Sequence, residues 1–158
     1  MRPDEDWMRM ALQEANLALE HNDVTIGAIA VRDGVVIGKG HNRREVDGDP
    51  TAHAEMIAIR QAAAVIGHWQ LEGVTLYCTL EPCCMCAGAM VLARLPRLVY
   101  ATIDTRAGCA GSLMDLLRHP RLNHRVEVEV GILADEAAKQ LQAFFRDLRE
   151  GGIGNPIP

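Results

Sequence analysis

The chain has 158 residues, 49% of them hydrophobic and 23% charged, with a formal net charge of −5. That length suits one compact domain with a real core, which argues against a multi-domain assembly and against a scaffold that depends on disulfides. The composition is ordinary for a soluble globular protein, and the negative balance by itself disfavours a nucleic-acid partner.

In chain order, Asp4 or Asp6 can cap a first helix running to about Glu20, with Met8, Ala11, Leu12, Ala15 and Leu19 on one side. Val24 to Val31 and Val35 to Gly38 read as strands, joined by the two-residue hairpin signal Asp33-Gly34. Asn42 to Pro50 is a polar loop, and a helix covers about Ala52 to Ile66. Val74 to Leu80 is an apolar strand of the buried kind, and Pro82 suits the first position of a helix reaching about Leu95. Leu98 to Ile103 reads as a strand, Ser112 to Leu117 as a short helix, Val126 to Ile132 as a strand and Asp135 to Arg149 as an amphipathic helix. Strands alternating with helices predict an α/β sandwich, one central sheet with helices on both faces. Residues 1–150 read as a single domain, and Gly151 to Pro158 as a loose, flexible tail.

The start of the chain, Met1-Arg2-Pro3-Asp4-Glu5-Asp6, lacks the basic-then-apolar order of a signal peptide, and no apolar run approaches the ~18 residues of a membrane span. The protein therefore reads as cytoplasmic. Charge is unevenly placed: from Arg94 to Arg125 six arginines stand against Asp104 and Asp115. Taken alone, that segment is a solvated face or a phosphate-binding one.

Five cysteines are present, and Cys83, Cys84 and Cys86 fall within four positions. That clustering points to metal or redox chemistry and away from a disulfide framework. Cys83 and Cys86 put both sulfurs on one helix face, at a helix start whose partial positive charge favours thiolate. Two thiolates leave a tetrahedral zinc ion half coordinated, and His53 is the natural third ligand. A Cys₂His set keeps the fourth position open to water, as in catalytic zinc. Glu55, two residues from His53, points elsewhere on a regular helix and is a poor fourth ligand. It suits a proton carrier between water and substrate, a role typically worth ~10²–10⁴-fold. Two alternatives remain at this point. A structural zinc knot needs a fourth protein ligand, for which Cys78 and Cys84 are poorly placed. A redox C-x-x-C pair needs no metal at all.

The pattern His53-Ala54-Glu55 followed by Pro82-Cys83-Cys84-Met85-Cys86 is the signature of zinc deaminases. The likeness extends to Asp49 through Ala52, Thr75-Leu76-Tyr77, Thr79-Leu80-Glu81, Ala87 through Met90, Gly111 through Asp115, Asn123-His124-Arg125 and Phe144-Phe145. Over about Trp7 to Arg149 the sequence resembles the bacterial tRNA-specific adenosine deaminases. The resemblance implies a cytidine-deaminase-like, three-layer α/β/α sandwich with a mixed five-stranded sheet. It implies one zinc ion on His53, Cys83 and Cys86, with Glu55 as proton shuttle. It further implies that Asn42 contacts a flipped nucleotide, that Ile26 walls the base pocket, that the Ala54 backbone touches the base, and that Asp104 and Arg106 line the substrate entrance. The implied reaction is adenosine to inosine at the wobble position of an arginine tRNA anticodon loop, by a homodimer. With it, the Arg94 to Arg125 segment reads as phosphate-contacting.

Three departures accompany the likeness. Thr25 stands where relatives carry proline, Cys84 is an extra thiol expected to turn into packing, and the end of the chain has no basic tail. Two rival functions share the motif: a deaminase of a free base or nucleoside such as guanine or cytidine, and a zinc-stabilised RNA-binding domain without catalysis. Ala89, Met90 and Leu92 are the candidate dimer face. His21 and His68 read as surface or loop residues, Trp7, Trp69 and Tyr77 as packing, Cys78 as a buried strand thiol and Cys109 as a loop thiol.

Overall fold

The computed structural model describes residues 2–151, so all of the expected tail except Gly151 lies outside the described residues. The elements are α1 (Asp4–Asn16), β1 (Gly27–Arg32), β2 (Val35–His41), α2 (Arg44–Asp47), α3 (Ala54–Ile66), β3 (Val74–Leu80), α4 (Cys84–Leu92), β4 (Arg97–Thr102), β5 (Glu127–Val130) and α5 (Ala134–Arg149). Five strands form one sheet in the order β2-β1-β3-β4-β5. The first three are antiparallel neighbours, and β3, β4 and β5 run parallel, so the sheet is mixed.

Strand alternation sorts the core into two layers. Ala28, Ala30, Leu76, Cys78, Leu98 and Tyr100 face one side, against Ala54, Ala58 and Ala62 of α3 and Cys86 and Met90 of α4. Ile29, Val31, Tyr77, Val99 and Ala101 face the other, against Trp7, Met8 and Ala11 of α1 and Ala137 of α5. Met90 is fully buried there, which removes it from any dimer face, while Leu92 is 72% exposed. Glycines bring two helices onto the backbone of the sheet. A Cβ at Gly27 would overlap the Ala11 carbonyl of α1, and one at Gly40 would overlap the Ala54 carbonyl of α3.

Several boundaries differ from expectation, each for a local reason. Helix α1 has Pro3 at its N-cap and no side-chain cap; Asp4 instead accepts from Arg97 at 3.0 and 2.7 Å and from the Tyr77 hydroxyl at 2.7 Å. It stops at Asn16, and a 3₁₀ turn over Leu17–His21 ends on left-handed Asn22. Residues 24–26 leave the sheet because the Ile26 amide turns back to the Val24 carbonyl at 2.8 Å. Strand β2 runs on to His41 because β1 pairs with it that far. No helix forms over 112–117: the Ser112 hydroxyl is drawn to Glu81, and the segment folds into turns closed by an Ala110–Asp115 bridge. Trp69 is 56% exposed, its ring flanked by His68 and Arg94, and is not a core residue. Among the described residues, no helix is long and apolar enough to cross a membrane.

Candidate active site

Two helices start at the same end of the sheet, beyond the carboxyl end of parallel β3. His53 and Cys83 are the extended residues immediately before α3 and α4, with φ/ψ of −82°/150° and −73°/177°. Neither side chain caps its own helix. Both turn instead toward Cys86, one turn into α4, and the three donor atoms lie within 4.8 Å of one another. His53 Nδ1 stands 3.5 Å from Cys83 Sγ and 3.6 Å from Cys86 Sγ. Tetrahedral zinc with Zn–S bonds of ~2.3 Å and Zn–N bonds of ~2.0–2.1 Å sets such atoms about 3.5 Å apart, so this donor set fits zinc in both spacing and chemistry.

The electrostatics of the trio favour anionic sulfur. The Cys83 thiol is brought down to about 4, first by a hydrogen bond from Cys86 and then by His53. Cys86 is pushed up by Cys83 and by burial. The Cys83 sulfur raises His53 above its ordinary value. Glu55, in the first turn of α3, is only 4% exposed. Burial raises its carboxyl above the usual range.

These groups floor a cleft of about 760 Å³, a volume within the ~300–1,000 Å³ of small-ligand pockets. Ile26, Asn42, Ala54, Asp104 and Arg106 all line it together with His53, Glu55 and Cys83. Cys86 lies beneath, fully buried. Cys84 is exposed, contrary to the packing role expected of it. One helix position from Cys83, it faces away from the ligand trio.

Two buried carboxylates hold the rim of the cleft, and neither was marked by residue type. Glu81, 2% exposed, accepts from the amides of Asp104, Ala110 and Ser112 and from the Ser112 hydroxyl, fixing the loop that carries Asp104 and Arg106. Those bonds draw its carboxyl below the usual range in spite of the burial that opposes them. Asp23, 1% exposed, accepts from the amides of Glu45 and Val46 and fixes the loop after Asn42.

The C-terminal helix α5 supplies a wall that sequence reasoning missed: Leu141, Phe145, Leu148 and Arg149 line the cleft. A signal for it existed. Two adjacent phenylalanines cannot both face one core, and indeed Phe144 is 3% exposed while Phe145 is 43% exposed. The Arg94 to Arg125 segment, in contrast, is mostly committed elsewhere. Arg97 pairs with Asp4 and Glu129, Arg118 with Asp115, and Arg94 with the Val91 carbonyl and the Trp69 ring. Of its six arginines only Arg106 lines the cleft; the other two lining arginines are Arg44 and Arg149.

Comparison with known proteins agrees with this geometry. The MafB19-like deaminase family matches residues 3–149. The tRNA-specific adenosine deaminase of Bacillus subtilis (strain 168) is 48% identical over 150 residues, spanning 95% of this chain and 93% of that protein. A structure solved in studies of A-to-I editing by tRNA:A34 deaminases at the wobble position of transfer RNA superposes with a TM-score of 0.82. It is 41% identical and is covered to 99%, against 86% of this chain. Guanine deaminase from Nitrosomonas europaea has a TM-score of 0.79 at 22% identity, over 91% of this chain and 85% of that one, a likeness of fold alone. The mixed five-stranded sheet, the paired helix starts and these matches together place the chain in the MafB19-like deaminase family, among the tRNA-specific adenosine deaminases.

Proposed function

We propose that this protein deaminates adenosine to inosine at the wobble position of a tRNA anticodon loop, an arginine tRNA being the substrate the resemblance points to. The observation that carries the proposal is the convergence of His53, Cys83 and Cys86 beside buried Glu55 on the floor of one nucleotide-sized cleft. The cleft walls support a flipped nucleotide: Ile26 and Leu80 are apolar, Asn42 and Asp104 polar, and Arg44, Arg106 and Arg149 can meet phosphates. A single-stranded loop lowers the cost of unstacking the base.

His53, Cys83 and Cys86 would hold one zinc ion, which when bound supplies Lewis-acid activation of the attacking water. Two thiolates balance its charge, so the activation needs help from a base. Glu55 takes a proton from the water and delivers it to N1 of the purine as the bond from oxygen to C6 forms. It then takes the proton of the new C6 hydroxyl to the amine, and the C6–N bond breaks to release ammonia as the C6 carbonyl forms. Burial that favours its neutral form suits a group that must both accept and return a proton. The Ala54 backbone, Asn42 and Ile26 orient the base; Asp104 and Arg106 guide it in.

The same reading takes residues 1–150 as one deaminase domain, acting in the cytoplasm. It pairs two copies through exposed Leu92 and partly exposed Ala89 of α4. A monomeric mass in solution at micromolar concentration would remove the dimer.

The substrate is tested by incubating the zinc-loaded protein with an arginine anticodon stem-loop carrying wobble adenosine, the same loop carrying guanosine, and free adenosine. Inosine from the first alone is the expected result. No product there, with zinc bound, would move the assignment to free bases and nucleosides.

A further inference from the structure

His21 and His41 take no part in the chemistry above, yet neither is a solvent residue: their side chains are 14% and 16% exposed. His21 Nδ1 lies 2.7 Å from Asp23 Oδ2, and His41 Nδ1 lies 3.1 Å from Glu14 Oε1. Their Nε2 atoms are 3.1 Å from each other. The ring centres are 5.2 Å apart, so the two nitrogens point at one another along the line of centres. Lone pairs converging on a third point would chelate a metal; nitrogens meeting head-on form an N–H···N hydrogen bond instead.

The proton count follows from this geometry. Each Nδ1 faces a carboxylate and acts as a donor. The Nε2–Nε2 contact then needs one nitrogen to donate and the other to accept. Two neutral rings would oppose lone pair to lone pair, and two imidazolium rings would oppose N–H to N–H. With both carboxylates ionised, an N–H···N bond between the rings places three protons on the four nitrogens. Asp47, paired with Arg43, also acts on His21 from the loop side.

The chain ends where it matters for the cleft. Asp23 accepts from the Glu45 amide at 2.7 Å and from the Val46 amide at 3.2 Å, in addition to His21. The Arg44 amide, one residue earlier, donates to Asn42 Oδ1 at 3.0 Å. Asn42 and Arg44 both line the cleft. We propose that Glu14, His41, His21 and Asp23 are positioning residues, a proton-sharing chain that locks segment 42–46, which opens α2, to helix α1 and so presents Asn42 and Arg44 to the substrate. The identity of that substrate rests on the RNA-deaminase reading; the proton chain and the locked segment do not.

The variant His41→Phe keeps an aromatic ring and leaves His21 and Asp23 in place, and its melting temperature checks that it folds. His21→Asn keeps a donor for Asp23 and cuts the link to His41. ¹⁵N NMR of the zinc-loaded wild type is expected to show one singly and one doubly protonated ring at neutral pH, or two rings averaged between those states. In both variants that signature is lost, and hydrogen exchange of the Glu45 and Val46 amides is expected to accelerate about tenfold. KM for the wobble-adenosine stem-loop is expected to rise about tenfold, the scale of one lost charge-assisted hydrogen bond, with kcat within about twofold. Two independently neutral rings, or unchanged amide exchange in both variants, overturn the proposal whatever the enzyme acts on. A loss carried by kcat with KM unmoved overturns it too. A wild type that makes no inosine refutes the substrate reading alone, since the NMR and exchange results still decide the chain.

Discussion

At the floor of the cleft, His53, Glu55, Cys83 and Cys86 hang from the starts of α3, packed on the sheet through alanine and glycine, and α4, packed through Cys86, Ala87 and Met90. At its rim, Asn42 and Arg44 sit at the start of α2 and Asp104 and Arg106 on a loop, each segment held by one buried carboxylate, Asp23 or Glu81. Backbone packed on backbone has one arrangement, whereas a loop on a polar clamp gains looser ones when the clamp is cut. Floor changes should therefore alter the chemistry, and rim changes the recognition of substrate. The two clamps also differ from each other. Glu81 is satisfied by amides and a hydroxyl, while Asp23 shares its charge with an imidazole.

The largest effect is expected at the floor. Cys83→Ala leaves two of three zinc donors, so bound zinc by elemental analysis should be lost and inosine formation should fall to background. Chelation should do the same to the wild type, reversed by added zinc. Circular dichroism should stay native in both, and unfolding with metal loss would break the separation of floor from fold.

At the rim, Glu81→Gln puts an NH₂ donor among three amides and a hydroxyl. KM should rise by about tenfold or more and stability fall by about 1–3 kcal/mol, with kcat changed only a few-fold. A kcat loss at constant KM would show that Glu81 belongs functionally to the floor. Phe144 and Phe145 sharpen the contrast. Phe145→Ala should raise KM about tenfold, as for one lost base stack, with stability nearly unchanged. Phe144→Ala should cost about 3–5 kcal/mol in denaturant unfolding.

The smallest effect is expected far from the cleft. Arg97 holds the Asp4 carboxyl below its ordinary value, although burial opposes this. The pair's contribution is therefore present above the unfolded value and lost as pH falls through the lower folded one. Asp4→Asn should cost about 1–2 kcal/mol at neutral pH, allowing for partial exposure. Below about pH 4 the wild type should lose stability more steeply than the variant, and the kinetic constants should match throughout.

The floor was legible in the sequence because zinc ligands demand certain residue types at fixed spacing, and His53-Ala54-Glu55 and Pro82 to Cys86 supply them. The sheet was legible too, since near-continuous apolar runs over 27–32, 74–80 and 97–102 reflect burial on both faces. The rim was not. Apart from His21, Asp23 and Glu81 find their partners 22 to 31 residues along the chain, and those partners are mostly backbone amides, which carry no residue identity. For the same reason His21 read as a surface residue, Asp4 as a helix cap and Ser112 as the start of a helix; each side chain is engaged by a group distant in sequence. The run of arginines between 94 and 125 divides between the fold and the cleft. Two of its six members, Arg97 and Arg118, make ion pairs within the fold, and one, Arg106, lines the cleft together with Arg44 and Arg149.

The most direct measurement is single-turnover deamination of the wobble-adenosine stem-loop by zinc-loaded wild type and Glu55→Ala, with zinc content and stem-loop affinity determined on the same samples. Equal zinc, equal affinity and inosine from the wild type alone are the expected results. Substantial inosine from Glu55→Ala, with its zinc in place, would contradict the role of Glu55 as the proton carrier.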